Sequence, residues 1–504
     1  LFTESHLSSQ TTLARPATIY ICQDCGAQSR QFFGRCAACG SWNSLVEQPV
    51  ALAGREGREE RLRSPQRSGG QAAARRSTPI HQLGSAPLTR LATGFVEFDR
   101  VLGGGMVPGS LVLLGGDPGI GKSTLLLQVA QAMAEHCGVL YVSAEESAQQ
   151  VRLRWRRLVA QAPQIASADG EPDGGGARQG EREGLQLLAE TDLDRVLEEL
   201  EALRPAVAMV DSIQALHDPN LSSAPGTVAQ VRECAAALQR LAKHLGVALV
   251  LVGHVTKEGM LAGPKVLEHL VDAVLTFEGD RFASHRLLRA AKNRFGATYE
   301  LGVFEMRDGG LAEVTNPSEL FLGGGQPSSG TATIVAVEGT RPLVVELQAL
   351  VSTTSYASPR RTATGIGTNR LHQILAVIEK HLGLPLSRFD CYLAVAGGLQ
   401  VEEPAADLGV AAAVVASYRD LILPAGTVLI GELGLGGQLR PVAQLEQRLQ
   451  EAGRLGFARA VVPKGGGGGV GLAPRGLRLV EAATLAEALV GALGDGFAAE
   501  PAPP

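Results

Sequence analysis

The feature that most constrains this chain is the run Gly116-Asp117-Pro118-Gly119-Ile120-Gly121-Lys122-Ser123-Thr124. It fits the pattern G-x-x-x-x-G-K-[ST], which carries a mechanism when it joins a strand to a helix. Both flanks meet that condition. Leu111–Gly115 reads as a short buried strand, and helical sequence starts at about Lys122. In such a loop the glycines let backbone N–H groups close around phosphate oxygens. The helix that follows adds unpaired N–H groups and a positive dipole end. Lys122 is then placed to reach the β- and γ-phosphates, and the Ser123 hydroxyl to ligate Mg2+. The run commits this part of the chain to a nucleotide-binding sheet.

The surrounding pattern agrees. Val139–Val142, Val207–Val210, Val247–Val252, Val271–Phe277 and Arg286–Ala291 read as strands, with helical stretches between several of them, notably Thr227–Leu245. Strands alternating with helices predict a parallel α/β sheet. Ala162–Gly184 is polar and reads as a surface insertion. Asp211 ends the Val207 strand, where a nucleotide-binding sheet puts the carboxylate that organises Mg2+ through water. Tyr141-Val-Ser-Ala-Glu145-Glu146-Ser147 follows the second strand. A carboxylate there can orient and polarise the attacking water. It can equally be the favourable acidic start of a helix, and spacing does not choose between Glu145 and Glu146. In Lys292-Asn-Arg294-Phe-Gly296 two cations one residue apart on an extended segment point the same way. In an oligomer they can reach a neighbour's γ-phosphate as an arginine finger does; a basic turn is the plainer alternative. His254, after the fourth strand, is either structural or a γ-phosphate sensor.

Seven cysteines are present, four of them in Cys22-Gln-Asp-Cys25-Gly26 and Cys36-Ala-Ala-Cys39-Gly40. Two such knuckles supply four thiolates for a closed, structural tetrahedral site, with glycine allowing the turn after each pair. Zinc is favoured and iron is the competitor. Cys137, Cys234 and Cys391 are scattered, so this is not a secreted disulfide framework but an intracellular pattern. No apolar run reaches the ~18 residues of a membrane span, and no secretory signal is visible. With 46 basic and 51 acidic residues the net charge is −5, which excludes a wholly basic nucleic-acid coat. Residues 51–90 nevertheless carry eight Arg against three Glu. That stretch is a solvated tether or a tether that also touches phosphate. From about 330 onward a second α/β unit is expected. Thr331–Val337 and Leu343–Leu350 form a strand pair; Asn369–His381, Leu408–Leu421 and Val442–Leu455 are helical; Gly465–Gly469 is a loop.

The order of these motifs resembles the bacterial RadA/Sms family, from about residue 19 to 492, with Lys-Asn-Arg-Phe-Gly as the most specific mark. The resemblance implies a RecA-like P-loop ATPase core, a small N-terminal zinc knuckle and a Lon-protease-like C-terminal α/β domain. It implies a tail at 1–18, a four-Cys zinc finger at 19–45, a flexible basic linker at 46–78, an ATPase domain at 79–318 and the Lon-like domain at 319–504. Glu145 then matches the catalytic carboxylate, and Lys292 and Arg294 match the inter-subunit motif. Implied cofactors are ATP, Mg2+ and Zn2+. The implied work is DNA repair and recombination after DNA damage: a homo-hexamer drives branch migration or helicase-like processing on single-stranded and branched DNA. Implied partners are the RecA recombinase and the replicative helicase, in the bacterial cytoplasm and away from membrane. Candidate DNA-contacting loops are His217–Gly226 and Thr256–Lys265, the latter with Lys257 and Lys265.

Lon-like proteases need a Ser nucleophile beside a Lys base. In this sequence Asp407 falls where that Ser is expected and Glu446 where that Lys is expected, so the domain reads as proteolytically inactive. An ATP-dependent protease and a RecA-like signalling ATPase without DNA translocation are the competing readings.

Overall fold

The computed structural model describes residues 18–22, 28–29, 31–37, 40, 42, 45–49, 89–161, 184–253, 265–279, 284–323, 328–356, 358–465, 474–494 and 497. The expected tail, most of the linker, nearly all of the polar insertion, most of the five-glycine loop, and Cys25, Cys39, His254 and Lys257 lie outside them. The chain divides into two compact units. One comprises Leu1–Glu278, Ala290–Gly296 and Asp308–Leu311; the other comprises Gly279–Arg289, Ala297–Arg307 and Ala312–Pro504.

The first unit opens with a small antiparallel ribbon. β1 (Thr18–Cys22) is flanked by β2 (Gln28–Ser29) and β3 (Leu45–Pro49). Helix α1 (Val96–Leu102) ends on left-handed Gly103. The α/β core then alternates as its sequence pattern demands: β4 (Leu111–Gly116), α2 (Lys122–Met133), β5 (Val139–Ser143), α3 (Ala148–Gln161), β6 (Leu185–Ala189), α4 (Leu193–Leu203), β7 (Val207–Asp211), α5 (Val228–Leu245), β8 (Ala248–Val252), α6 (Lys265–Leu270) and β9 (Ala273–Glu278). These strands run parallel in the order β9-β4-β8-β7-β5-β6.

Every residue of β4, β5, β7 and β8 is buried, as expected of aliphatic runs in a parallel sheet covered on both faces. The apolar stripe of α5, with Val231, Cys234 and Leu238, packs into one core with Leu193, Val196 and Leu200 of α4. Asp192 caps α4 by accepting the Asp194 N–H at 2.9 Å. The sheet thereby gathers the carboxyl ends of its strands on one rim, where ligands of open α/β sheets bind.

Further along, β10 (His285–Asn293) pairs antiparallel with β11 (Leu301–Arg307), and β12 (Gly310–Glu313) follows. The second unit continues with α7 (Pro317–Phe321), β13 (Thr331–Glu338), β14 (Arg341–Thr353), β15 (Arg361–Thr364), α8 (Thr368–Leu382), β16 (Phe389–Val395), α9 (Asp407–Arg419), β17 (Thr427–Leu429), β18 (Glu432–Leu433), β19 (Leu439–Arg440), α10 (Leu445–Arg454), β20 (Arg459–Pro463), β21 (Arg478–Ala482) and α11 (Leu485–Leu493). Its seven-stranded sheet runs β15-β16-β14-β13-β17-β20-β21. The expected strand pair is there as an antiparallel ladder from Thr331↔Gln348 to Glu338↔Arg341. Helix α9 is buried from Asp407 to Ala416 against this sheet, which explains its unbroken small and branched apolar sequence. Among the described residues no helix is long and apolar enough to cross a membrane.

Candidate functional site

The phosphate-type loop leaves β4 at Gly116. A side chain there would meet the Phe277 carbonyl of β9 at 2.5 Å, so only glycine lets the two backbones approach. Asp117, Pro118 and Gly119 are exposed at the tip, while Ile120 is 7% exposed and anchors the loop. Gly121 enters α2 at φ 116°, a left-handed backbone that glycine adopts without strain. Ser123 and Thr124 then lie in the first turn of α2.

Lys122 is almost fully buried, 4% exposed. Its ammonium donates to the carbonyls of Gly116 at 2.7 Å and Asp117 at 3.0 Å, which holds it inside the loop. Burial pushes its pKa below the ordinary lysine value, opposed by the carboxylates of Asp211, Glu145 and Asp117. The fold thus places Lys122, Asp211 and Glu145 within electrostatic reach of one another, although β7 is separated from β5 in the chain by α3, β6 and α4.

Asp211 ends β7, 9% exposed. Its Oδ2 accepts from the Tyr141 hydroxyl at 2.8 Å. Burial, the Asp211 charge and this bond raise the Tyr141 pKa well above its ordinary value, so the phenol stays a donor. The Ala144 N–H donates to the Asp211 carbonyl at 2.7 Å and ties the ends of β5 and β7 together. Beyond them the two consecutive glutamates part. The Glu145 carboxylate accepts from the Ser212 hydroxyl beside Asp211. Glu146 turns to α3, where it pairs with Arg154. Tyr141 and Ser212 are site residues that the sequence pattern missed. A tyrosine among aliphatics in a buried strand reads as core, and its partner is 70 residues away.

Lys292 and Arg294 both turn toward the last turn of α6 and the two residues that join it to β9. Lys292 donates to the carbonyls of Glu268 and Val271, the latter at 2.8 Å. Arg294 pairs with Asp272 at 2.8 Å while remaining half exposed. Asp272 Oδ2 also accepts the Leu111 N–H at 3.0 Å, so one carboxylate joins Arg294 to the start of β4. The motif is further fixed by Arg90, which donates to the Phe295 carbonyl at 2.6 Å.

Of the two candidate DNA loops, His217–Gly226 is described. It is organised by Gln230, whose carbonyl accepts the Asp218 N–H at 2.8 Å and whose amide donates to the carbonyls of Asp218 at 3.2 Å and Ser223 at 2.8 Å. It contains no Lys or Arg. Lys265 opens α6.

In the ribbon, Cys22 and Cys36 are buried together with Leu45. Gly40, after the second knuckle, takes φ 78° and donates its N–H to the Cys36 carbonyl at 2.9 Å. That is the tight turn a thiolate knuckle requires. Two soft sulfur donors converging in one small buried cluster suit zinc or iron. Among the described residues no group of three or more His, Cys, Asp or Glu side chains forms a metal-sized cluster.

In the second unit Asp407 is 2% exposed. Arg370 grips both of its carboxylate oxygens, and the Leu433 N–H donates to Oδ2 at 3.0 Å. Burial raises the Asp407 pKa, opposed by Arg370 and the Leu433 N–H. Glu446 is exposed at the start of α10 and accepts from Gln450 at 3.2 Å. A carboxylate clamped by arginine and another facing solvent do not make a nucleophile and base.

Three family models match this chain: an AAA domain over residues 82–260, a rubredoxin metal-binding domain over 20–47, and subunit ChlI of Mg-chelatase over 368–466. The DNA repair protein RadA of Synechocystis sp. is 54% identical over 490 residues, 95% of each chain. The DNA repair protein RadA of Bacillus subtilis is 45% identical over 484 residues, 96% of this chain and all of that one. Among solved structures, a KaiC-like protein from Pyrococcus horikoshii is similar at 20% identity and a TM-score of 0.35, covering 45% of this chain and 100% of that one. The fold and site define a P-loop ATPase with a RecA-like core, an N-terminal metal-ribbon domain and a ChlI/Lon-like C-terminal domain. The chain belongs to the RadA family of DNA repair proteins.

Proposed function

We propose that this ATPase is DNA-dependent and drives branch migration, or helicase-like processing, of recombination intermediates on single-stranded DNA. The observation that carries the reading is the convergence of Lys122, Asp211 and Glu145 on one rim of the parallel sheet. ATP bound at residues 116–124 supplies the reactive γ-phosphoryl group, and Mg2+ would be held by Ser123 and, through water, by Asp211. Lys122 exchanges its loop carbonyls for phosphate oxygens. Glu145, steadied by Ser212, orients the attacking water. Arg294 and Lys292 act on a neighbour's γ-phosphate in a homo-hexamer, released from their contacts with Asp272 and with the Glu268 and Val271 carbonyls. Cys22, Cys25, Cys36 and Cys39 hold zinc. Lys257 and Lys265 contact DNA from the segment before and at the start of α6. The same reading takes residues 19–45, 79–318 and 319–504 as finger, ATPase and Lon-like domains, places the protein in the cytoplasm, and names the RecA recombinase and the replicative helicase as partners.

The test is ATP turnover with and without single-stranded DNA. Stimulation by DNA, abolished in Lys122→Ala, supports the reading. Turnover indifferent to DNA favours a signalling ATPase, and ATP-dependent casein cleavage would restore the protease.

A further inference from the structure

A cleft of about 470 Å3 on the first unit shares only the Tyr141 ring with this chemistry. It lies between α2, α3 and the sheet margin. Leu127, Val151 and the Tyr141 ring, all nearly fully buried, line it together with exposed Leu187, the partly exposed Trp155 indole, and Gln131 and Arg152. The indole is fixed, because its N–H donates to Gln131 Oε1 at 2.7 Å.

Two features say what fits there. The first is backbone. Among the described residues β6 is the outer strand of the parallel sheet and pairs on one side, with β5. Its sequence Leu-Gln-Leu-Leu-Ala has none of the charges or prolines that blunt exposed edges, and Leu187 is 38% exposed. The second is charge. α3 carries four arginines and no carboxylate. Arg154 is bound to Glu146, whereas Arg152, Arg156 and Arg157 are exposed and Arg152 stands on the cleft.

We infer that this cleft docks an extended acidic peptide segment of a partner protein, which adds a strand to β6 and packs one bulky apolar side chain against Leu187 and the Trp155 indole. Main-chain hydrogen bonds along an edge strand give such a complex its affinity, and the side-chain pocket gives its specificity. The arginines favour the approach of acidic residues. The geometry fits a peptide better than a nucleic acid. Only another main chain repeats the donor and acceptor spacing of β6.

A fluorescein-labelled synthetic peptide with one central Phe among Asp, Glu and Val residues is titrated with the full chain and followed by anisotropy. Saturable binding is expected, weakened about tenfold or more when the probe's Phe becomes Ala. Leu187→Asp, and Arg152→Glu combined with Arg156→Glu, should weaken it similarly while ATP turnover persists, which shows that both variants fold. A probe that does not bind, or that binds Leu187→Asp as tightly as the parent, overturns the proposal. So does displacement by oligothymidylate with loss confined to the arginine variant, which would make the surface a nucleic-acid contact. A smaller assembly in sedimentation of Leu187→Asp without peptide also overturns it, because a second copy would then occupy the cleft.

Discussion

Replacing Tyr141 by Phe removes one oxygen atom and isolates the bond that orients Asp211. The hydroxyl lies 2.8 Å from the carboxylate, between groups 1% and 9% exposed, so water cannot readily replace it. A buried hydrogen bond to a charged group is worth about 1.5–3 kcal/mol. If that energy holds the carboxylate in its working direction, its loss falls on the chemical step, as a drop in kcat of roughly 10- to 150-fold. The aromatic ring still fills its place, and the proposed phosphate contacts of Lys122 and the loop amides are untouched. KM for ATP should therefore move little. Steady-state hydrolysis across ATP and Mg2+ concentrations, with a thermal melt to verify folding, separates these effects. A folded variant with kcat within about twofold of the parent would refute the orienting role, as would a raised KM at unchanged kcat.

Three further outcomes follow from the other sites. Arg370→Ala strands the buried Asp407 carboxylate and should cost about 3–5 kcal/mol; Asp407→Ala leaves a guanidinium whose side chain is 34% exposed and able to rehydrate, and should cost less. Calorimetry of the full chain would contradict this if the order were reversed. Because burial raises the Asp407 pKa, the native state binds a proton that the unfolded state releases, between the ordinary value of 3.8 and the raised one. In that window the parent should gain stability relative to Asp407→Asn as pH falls; a flat or opposite difference curve would refute the assignment. Cys22→Ser should lower bound zinc from about one per chain, read by elemental analysis, and unchanged metal content would remove Cys22 from the ligand set.

Much of this site was legible because its signals are local. The glycine spacing of 116–121, the Lys-Ser pair behind it and the carboxylate closing the Val207 strand each sit within one strand-to-helix junction, where backbone chemistry fixes the residue type. The second unit's hairpin was legible for a similar reason, two branched apolar runs joined by Gly339-Thr340. The long-range polar pairs were not. Arg370 and Arg448 look like the polar face of a helix, yet each grips a carboxylate, Asp407 and Glu403, 37 and 45 residues away. β6 was also hidden, being a short run directly after a polar insertion, with its exposure alternating weakly. Asp272 gives no sequence sign that it joins Arg294 to the β4 backbone. Such partners are set by which strands become neighbours, and strand order is a property of the whole sheet.

The central claim is a motor that couples the Lys122 site to movement of DNA strands. It is tested most directly by strand extension on a labelled three-stranded joint molecule, with and without ATP, in the parent and in Lys122→Ala. The account predicts extension that requires ATP and disappears in the variant while the variant stays folded. No extension by a parent whose ATP turnover is intact and unmoved by single-stranded DNA would contradict it.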